Sequence, residues 1–301
     1  MPNNSLNKII EKSMKTNWDR PALSDYKGVT LYYRDVARRI EKIHLIFEIC
    51  GIKRGDKVAL CARNQANWGV AFLACTTYGA VPVPILHEFK SSNIVHLVNH
   101  SEARILFVGD VIWEGLSQAD MRALEAVILL TDFSLLYAAN DDIVEAREHL
   151  NEYFGKKYPK DFGPDDICYN EDQPEELALI NYTSGTSGFS KGVMLPYRSL
   201  LSNVLFAYEA EPNLDNTSQV VSMLPLAHMY GLMFEFLFEM CIGAHVHFLT
   251  RLPTPKIIME AFKQVKPGII VAVPMIIEKI YKKKLEPIIE KGSMKVLLKL
   301  P

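Results

Sequence analysis

Residues 182–192 read YTSGTSGFSKG, and the identity of this stretch decides what its surroundings must be. Three glycines (Gly185, Gly188, Gly192) let the backbone take up positive φ and come close to a ligand. Five hydroxyls (Thr183, Ser184, Thr186, Ser187, Ser190) and one cation, Lys191, share the same few positions. Backbone N–H groups, hydroxyl donors and a point positive charge suit a polyphosphate, whose oxygens only accept. A flexible Gly/Ser linker has similar letters, but linkers seldom run between apolar segments such as 177–182 (LALINY) and 193–195 (VML). The Walker pattern GxxxxGK[ST] is absent, because Ser190 precedes Lys191 and Gly192 follows it. The glycine spacing also rules out GxGxxG. The residues by themselves point to phosphate binding of an unspecified kind.

Outward from this loop the chain alternates between two periods. On the carboxyl side a helix is predicted from about 197, with strands at 220–224, 245–249 and 269–273 and helices between them. On the amino side, 34–50 places Val36, Ile40, Ile43 and Phe47 on one helical face, with Gly51 as a cap. Residues 57–62 (KVALCA) read as a buried strand, and 67–78 as a helix closed by Gly79. Pro82 and Pro84 each remove a ladder donor, so 81–85 is predicted to be an edge or irregular strand. A helix near 90–99 and strands at 104–108 and 126–130 follow. Strands alternating with helices of this length imply βαβ units and a mostly parallel sheet. Residues 140–176 differ: 12 acidic residues against 4 basic, with Pro159, Pro164 and Pro174, predict a solvated helix plus connector. The expected fold class is α/β, with two doubly wound, mostly parallel-sheet lobes. The first covers 1–175 and includes the acidic connector; the second covers 176–301 and carries the phosphate loop.

Composition narrows the function classes. The chain has 301 residues, 49% apolar and 23% charged, with 33 Lys+Arg against 35 Asp+Glu. A net charge of −2 lacks the basic excess of a dedicated nucleic-acid binder, so no nucleic-acid partner is expected. Five scattered cysteines without a CxxC pair fit a reducing compartment. The opening residues contain no uninterrupted apolar run, and the most apolar stretch, 226–244, is broken by His228, Glu235 and Glu239. Neither a signal peptide nor a spanning helix is expected, which leaves a cytoplasmic protein.

YTSGTSGFSKGVML resembles the signature loop of the adenylate-forming superfamily, which includes acyl-CoA synthetases, luciferases and nonribosomal-peptide adenylation domains. LPLAHMYG (224–231) resembles that family's next motif, and segments at 31–37, 55–62, 68–79 and 271–281 resemble its amino-terminal domain. The likeness runs from about 19 to 281 and is closest to long-chain fatty-acid–CoA ligases. It implies the two-lobed N-terminal domain of such an enzyme, with Thr183, Ser184, Gly185, Thr186, Ser187, Gly188 and Lys191 on the ATP phosphates. It places His228 near the reacting carboxylate, so Lys191 and His228 are the implied catalytic residues. The implied chemistry takes MgATP and a carboxylic acid to an acyl-adenylate, whose acyl group then passes to coenzyme A. LPLAHMYG and the aromatics Phe234, Phe236 and Phe238 suggest a medium- or long-chain fatty acid. Two alternatives stay open: loading of a carrier protein, and an inactive nucleotide-binding module.

Several departures from the family pattern are visible. Ser187 replaces a common threonine, Ser190 a usual proline, and Pro196-Tyr197 a Thr-His pair. None removes an implied phosphate ligand, although a helix cap is lost. The chain ends at Pro301, before the family's YGxTE-type motif, its ribose-binding aspartate and its C-terminal domain. It is therefore expected to be the front part of a longer enzyme, inactive alone.

The remaining polar residues are expected to be structural. His96 and His100 are four apart on a helical pattern near His87, and His245 and His247 share a strand face, but no metal is assigned to either set. Glu235 and Glu239 are expected to form a solvated stripe on a packed helix. Lys282, Lys283 and Lys284 are expected to mark a solvated helix end, with peripheral membrane contact as the alternative.

Overall fold

A computed structural model of the chain describes residues 5–184, 190–250 and 254–289. Short runs of β-branched and apolar residues supply eleven strands among them: β1 (Pro21–Asp25), β2 (Thr30–Tyr32), β3 (Lys57–Cys61), β4 (Val81–Pro84), β5 (Ile105–Val108), β6 (Ala126–Leu129), β7 (Leu135–Ala138), β8 (Leu177–Ser184), β9 (Ser190–Pro196), β10 (Gln219–Ser222) and β11 (His245–Phe248). A five-stranded sheet has the order β4-β3-β5-β6-β7 and a four-stranded sheet the order β10-β11-β1-β2. Every pairing in them is parallel except β6 with β7 and β1 with β2. The class is α/β with parallel-dominated sheets. β4, with its two prolines, lies at a sheet edge where missing donors cost least. The phosphate-type loop is different in kind: β8 and β9 are antiparallel and form a two-stranded hairpin.

Two helices fill the space between the sheets. Twelve residues of Ala66–Tyr78 are buried, as expected for a helix that is apolar all round. Gly69 is obligatory there, since an added Cβ would lie 2.8 Å from Phe236 and 3.2 Å from Leu23 of β1. Tyr33–Ile49 turns one face to the core through Val36, Ile40, Ile43 and Phe47, and Phe47 meets Phe107 of β5 edge-on.

Two expectations change. The boundary at 175/176 is not a boundary between sheets, because β1, with β2 beside it, pairs with β11 across it. These strands have five and three residues, too short for a clear period in sequence. The acidic segment is also more than a solvated connector. It forms two helices, Asp141–Glu148 and Leu150–Lys157, and then runs back along the core with Phe154, Phe162, Ile167 and Tyr169 buried. Charge dominates its composition, but its few apolar residues are spaced to lie against the helix Leu6–Thr16 and Tyr33–Ile49.

Asp172 anchors this return. It is buried, accepts from Ser5 Oγ (2.6 Å) and from the backbone N–H groups of Asn7 (2.8 Å) and Leu6 (3.1 Å), and so caps the Leu6–Thr16 helix from far along the chain. A negative charge at a helix N-terminus also suits the helix dipole. Asp172→Ala leaves buried donors without an acceptor and is expected to lower stability by about 3 kcal/mol, with a smaller loss for Asp172→Asn. Urea denaturation checks this; an unchanged midpoint for the alanine variant would show that the cap carries no weight.

Candidate active site

A cleft of about 780 Å³ opens where the carboxyl ends of parallel strands from both sheets converge. Arg63 and Asn64 reach it from beyond β3, His87 and Glu88 from beyond β4, Met223 and Leu224 from beyond β10, and Leu249 from beyond β11. Crevices at strand carboxyl ends are where open α/β sheets bind ligands, because the loops there are free to carry polar groups. Thr183 of β8 and His228 of the 224–231 loop line this same cleft, so the two motifs that stand out in the sequence meet here.

The hairpin supplies one side. Along β8 the side chains alternate: Ile180 and Tyr182 pack against the five-stranded sheet, while Asn181 and Thr183 face the cleft. Lys191 sits directly opposite Thr183 in the register, which puts both on one face of the ribbon. Lys191 is exposed and has no ion-pair partner among the described residues. Ser184 closes β8. Gly185, Thr186, Ser187 and Gly188, to which the resemblance gives phosphate contacts, lie outside the described residues.

The 224–231 loop is held by three side chains that the motifs do not announce. Asn64 donates to Leu224 O (2.6 Å) and accepts from Leu226 N–H (3.0 Å). Asn181 donates to Ala227 O (2.8 Å). Glu235 Oε2 accepts from Met223 N–H (3.0 Å) and Leu224 N–H (2.9 Å). Gly231 permits the loop's tight return, since a Cβ there would lie 2.9 Å from Pro225 O. His228 precedes the short helix Met229–Leu232 with its side chain exposed to the cleft. Asn181 had a signal, two residues from Thr183 on the same strand face. Asn64 had a weaker one, its place just past a buried parallel strand.

Glu235 and Glu239 do not form a solvated stripe. They are 0% and 1% exposed, on a segment whose residues 233–237 form a π turn. Burial raises Glu235 well above the usual carboxylate range, and burial pushes Glu239 up from 4.5 to about 8. The histidine pairs are also placed. His245 and His247 have ring centroids 3.9 Å apart; His245 Nε2 bonds Ser24 Oγ (2.7 Å) and His247 Nε2 bonds Gln219 Oε1 (2.9 Å). Burial lowers them to about 3 and about 4. His100 Nδ1 bonds Tyr182 Oη (2.7 Å) on the hairpin face turned away from the cleft, whereas His87 lines the cleft. Among the described residues no group of three or more His, Cys, Asp or Glu converges to hold a metal. No described helix is long and apolar enough to cross a membrane.

Fold and cleft together define an α/β protein with a ligand crevice at the carboxyl ends of its parallel strands. The profile of the AMP-binding enzyme family matches residues 10–298, and the chain belongs to that family. Long-chain-fatty-acid–CoA ligase 5 of Rattus norvegicus is 25% identical over 305 residues, an alignment covering 93% of this chain and 42% of the rat protein. Among solved structures, a long-chain-fatty-acid-CoA ligase (FadD1) from Archaeoglobus fulgidus matches with a TM-score of 0.74 at 21% identity, covering 93% of this chain and 53% of that one. ATP-bound MatB from Rhodopseudomonas palustris matches with a TM-score of 0.72 at 19% identity, over 93% of this chain and 52% of that one. The fold is thus that of adenylate-forming enzyme N-terminal domains, and the chain spans about half the length of these proteins or less.

The raised carboxyl of Glu239 makes a pH prediction. A carboxyl that binds its proton more tightly folded than unfolded contributes stability that is fully present below the ordinary value of 4.5 and is lost as pH rises through about 8. Glu239→Gln, permanently neutral, is expected to raise Tm relative to the parent above pH 8 and to change it far less near pH 4.5. Equal shifts at both pH values would remove ionisation of Glu239 as the cause.

Proposed function

We propose that the intact protein is an acid–thiol ligase that activates a medium- or long-chain fatty acid with MgATP and transfers the acyl group to coenzyme A. The observation that carries this reading is the convergence of Thr183, from the hydroxyl-rich hairpin, and His228 on one cleft whose wall is largely apolar. Met223, Leu224, Met229, Leu249, Val273 and Met275 offer such a wall to an acyl chain. Their burial by substrate would contribute about 0.8 kcal/mol per methylene.

In this reading MgATP enters as a substrate with its β- and γ-phosphates against the hairpin, where Thr183 donates a hydrogen bond and Lys191 supplies positive charge. The fatty-acid carboxylate lies toward His228. A carboxylate oxygen attacks the α-phosphorus, the bond to the bridging oxygen breaks, and pyrophosphate leaves. The thiol of coenzyme A then attacks the acyl carbon, and AMP leaves with the mixed-anhydride oxygen. No covalent intermediate on the protein is required. Its residues neutralise charge and align attacking and leaving oxygens.

The test is pyrophosphate release from MgATP and palmitate by the intact protein, with residues 1–301 in parallel. Lys191→Ala is expected to lower the rate by about 100-fold or more, the usual cost of losing one preorganised charge-stabilising donor. His228→Ala is expected to lower kcat/KM for palmitate while leaving the KM for ATP near its original value. Release unaltered by Lys191→Ala would remove the hairpin from the phosphate site. Absence of release by the parent with short, long and aromatic acids alike would remove the ligase reading. Formation of palmitoyl-CoA, against acylation of an added carrier protein, identifies the acceptor.

A further inference from the structure

The segment after the His228 loop buries two carboxyls, and the one nearer the loop makes contacts that set the loop's course. β10 ends at Ser222, so the N–H groups of Met223 and Leu224 leave the sheet with no strand carbonyl to receive them. Both residues are buried, and an unpaired buried N–H is costly. A single atom, Oε2 of Glu235, accepts from both, at 3.0 and 2.9 Å. Met223 and Leu224 themselves line the cleft, and His228 follows four residues beyond Leu224. The π turn at 233–237 adds a residue to its turn and so re-aims the side chains it carries, a device that recurs next to functional sites. The second oxygen, Oε1, has no hydrogen-bond partner among the described residues, and the Ser222 side chain is another polar group that bears on the buried carboxyl.

We propose that Glu235 is a positioning residue: it touches no substrate, but by receiving two consecutive backbone N–H groups it fixes the turn from β10 into the 224–231 loop and thereby the cleft wall and His228. The catalytic consequence rests on the ligase reading, whereas the positioning itself does not. Glutamine at 235 keeps an oxygen able to accept both bonds; methionine keeps the length and removes the acceptor. Aspartate keeps the carboxyl but falls one methylene short.

Two measurements on the intact protein test this. In hydrogen–deuterium exchange read on peptides spanning 219–232, Glu235→Met is expected to speed exchange of the Met223 and Leu224 amides about tenfold or more, while Glu235→Gln stays near the parent. Parent-like protection in Glu235→Met overturns the proposal. Should the methionine variant fail to fold, Glu235→Asp must show the same loss of protection, and parent-like protection there overturns it equally. In pyrophosphate release with MgATP and palmitate, Glu235→Met is expected to lower kcat/KM for palmitate about tenfold, with the KM for ATP unchanged and with Glu235→Gln restoring most of it. Faster exchange with unaltered palmitate kinetics would show that Glu235 orders the turn without positioning the site, and so overturns the catalytic part. If the parent releases no pyrophosphate at all, the ligase reading fails, and the exchange result alone decides whether Glu235 holds the turn.

Discussion

Strands from two different sheets end on one cleft, and the backbone that leaves them must find partners that no sheet provides. Asn64 meets much of that need. Its amide donates to Leu224 O and its carbonyl accepts from Leu226 N–H, so the chain leaving β3 is tied to the chain leaving β10. Asn181 adds the hairpin through Ala227 O, and Glu235 receives the two N–H groups at the start of the loop. An asparagine is apt for the first two positions because it offers both a donor and an acceptor on one short, uncharged side chain. The cleft is in this sense a product of backbone accounting. The backbone groups of Met223, Leu224, Leu226 and Ala227 named here are met by side chains from other elements, and all lie within five residues of His228.

The layer between the sheets supports this arrangement. Ala66–Tyr78 begins directly after the loop that carries Asn64 and is packed on all sides, with Gly69 between Phe236 and Leu23. Phe236 is the neighbour of Glu235, so the contact that seats the helix also seats the π turn whose carboxyl holds the loop. The packing is dense on both sides: Trp68 and Phe72 stack at 5.5 Å between centroids, and both meet Phe236 edge-on. A shift of the helix would be felt at the cleft, because close-packed interiors transmit displacement instead of absorbing it.

Much of this was legible from residue order. The α/β class, most strands of the five-stranded sheet, the helix capped by Gly79 and the pair of motifs around Thr183 and His228 all follow from local periodicity and turn chemistry. Other features were illegible for identifiable reasons. β1 and β2 are too short to show a period, and β1 is placed by a partner, β11, more than two hundred residues away. The acidic character of 140–176 masked Phe154, Phe162 and Tyr169, which are few but buried. Glu235 and Glu239 are of a residue type that sequence reasoning assigns to solvent. Glu235 is met by partners contributed elsewhere in the chain, the N–H groups at the end of β10, whereas neither oxygen of Glu239 has a hydrogen-bond partner among the described residues and burial raises its pKa instead.

What residue order determined by itself was therefore local: helical and strand periods, the Gly- and hydroxyl-rich loop with its single lysine, and the likeness of two ordered motifs to one family. These depend on neighbours within a few positions, where side-chain period and backbone preference act directly. What only the tertiary structure decided was convergence. It brought Thr183 and His228 to one cleft, put Lys191 across from Thr183, and gave Asn64, Asn181 and Glu235 their roles in holding the loop between them. Such roles arise because a buried donor or acceptor takes whichever partner the packed fold brings within hydrogen-bond reach, and that partner can come from any part of the chain.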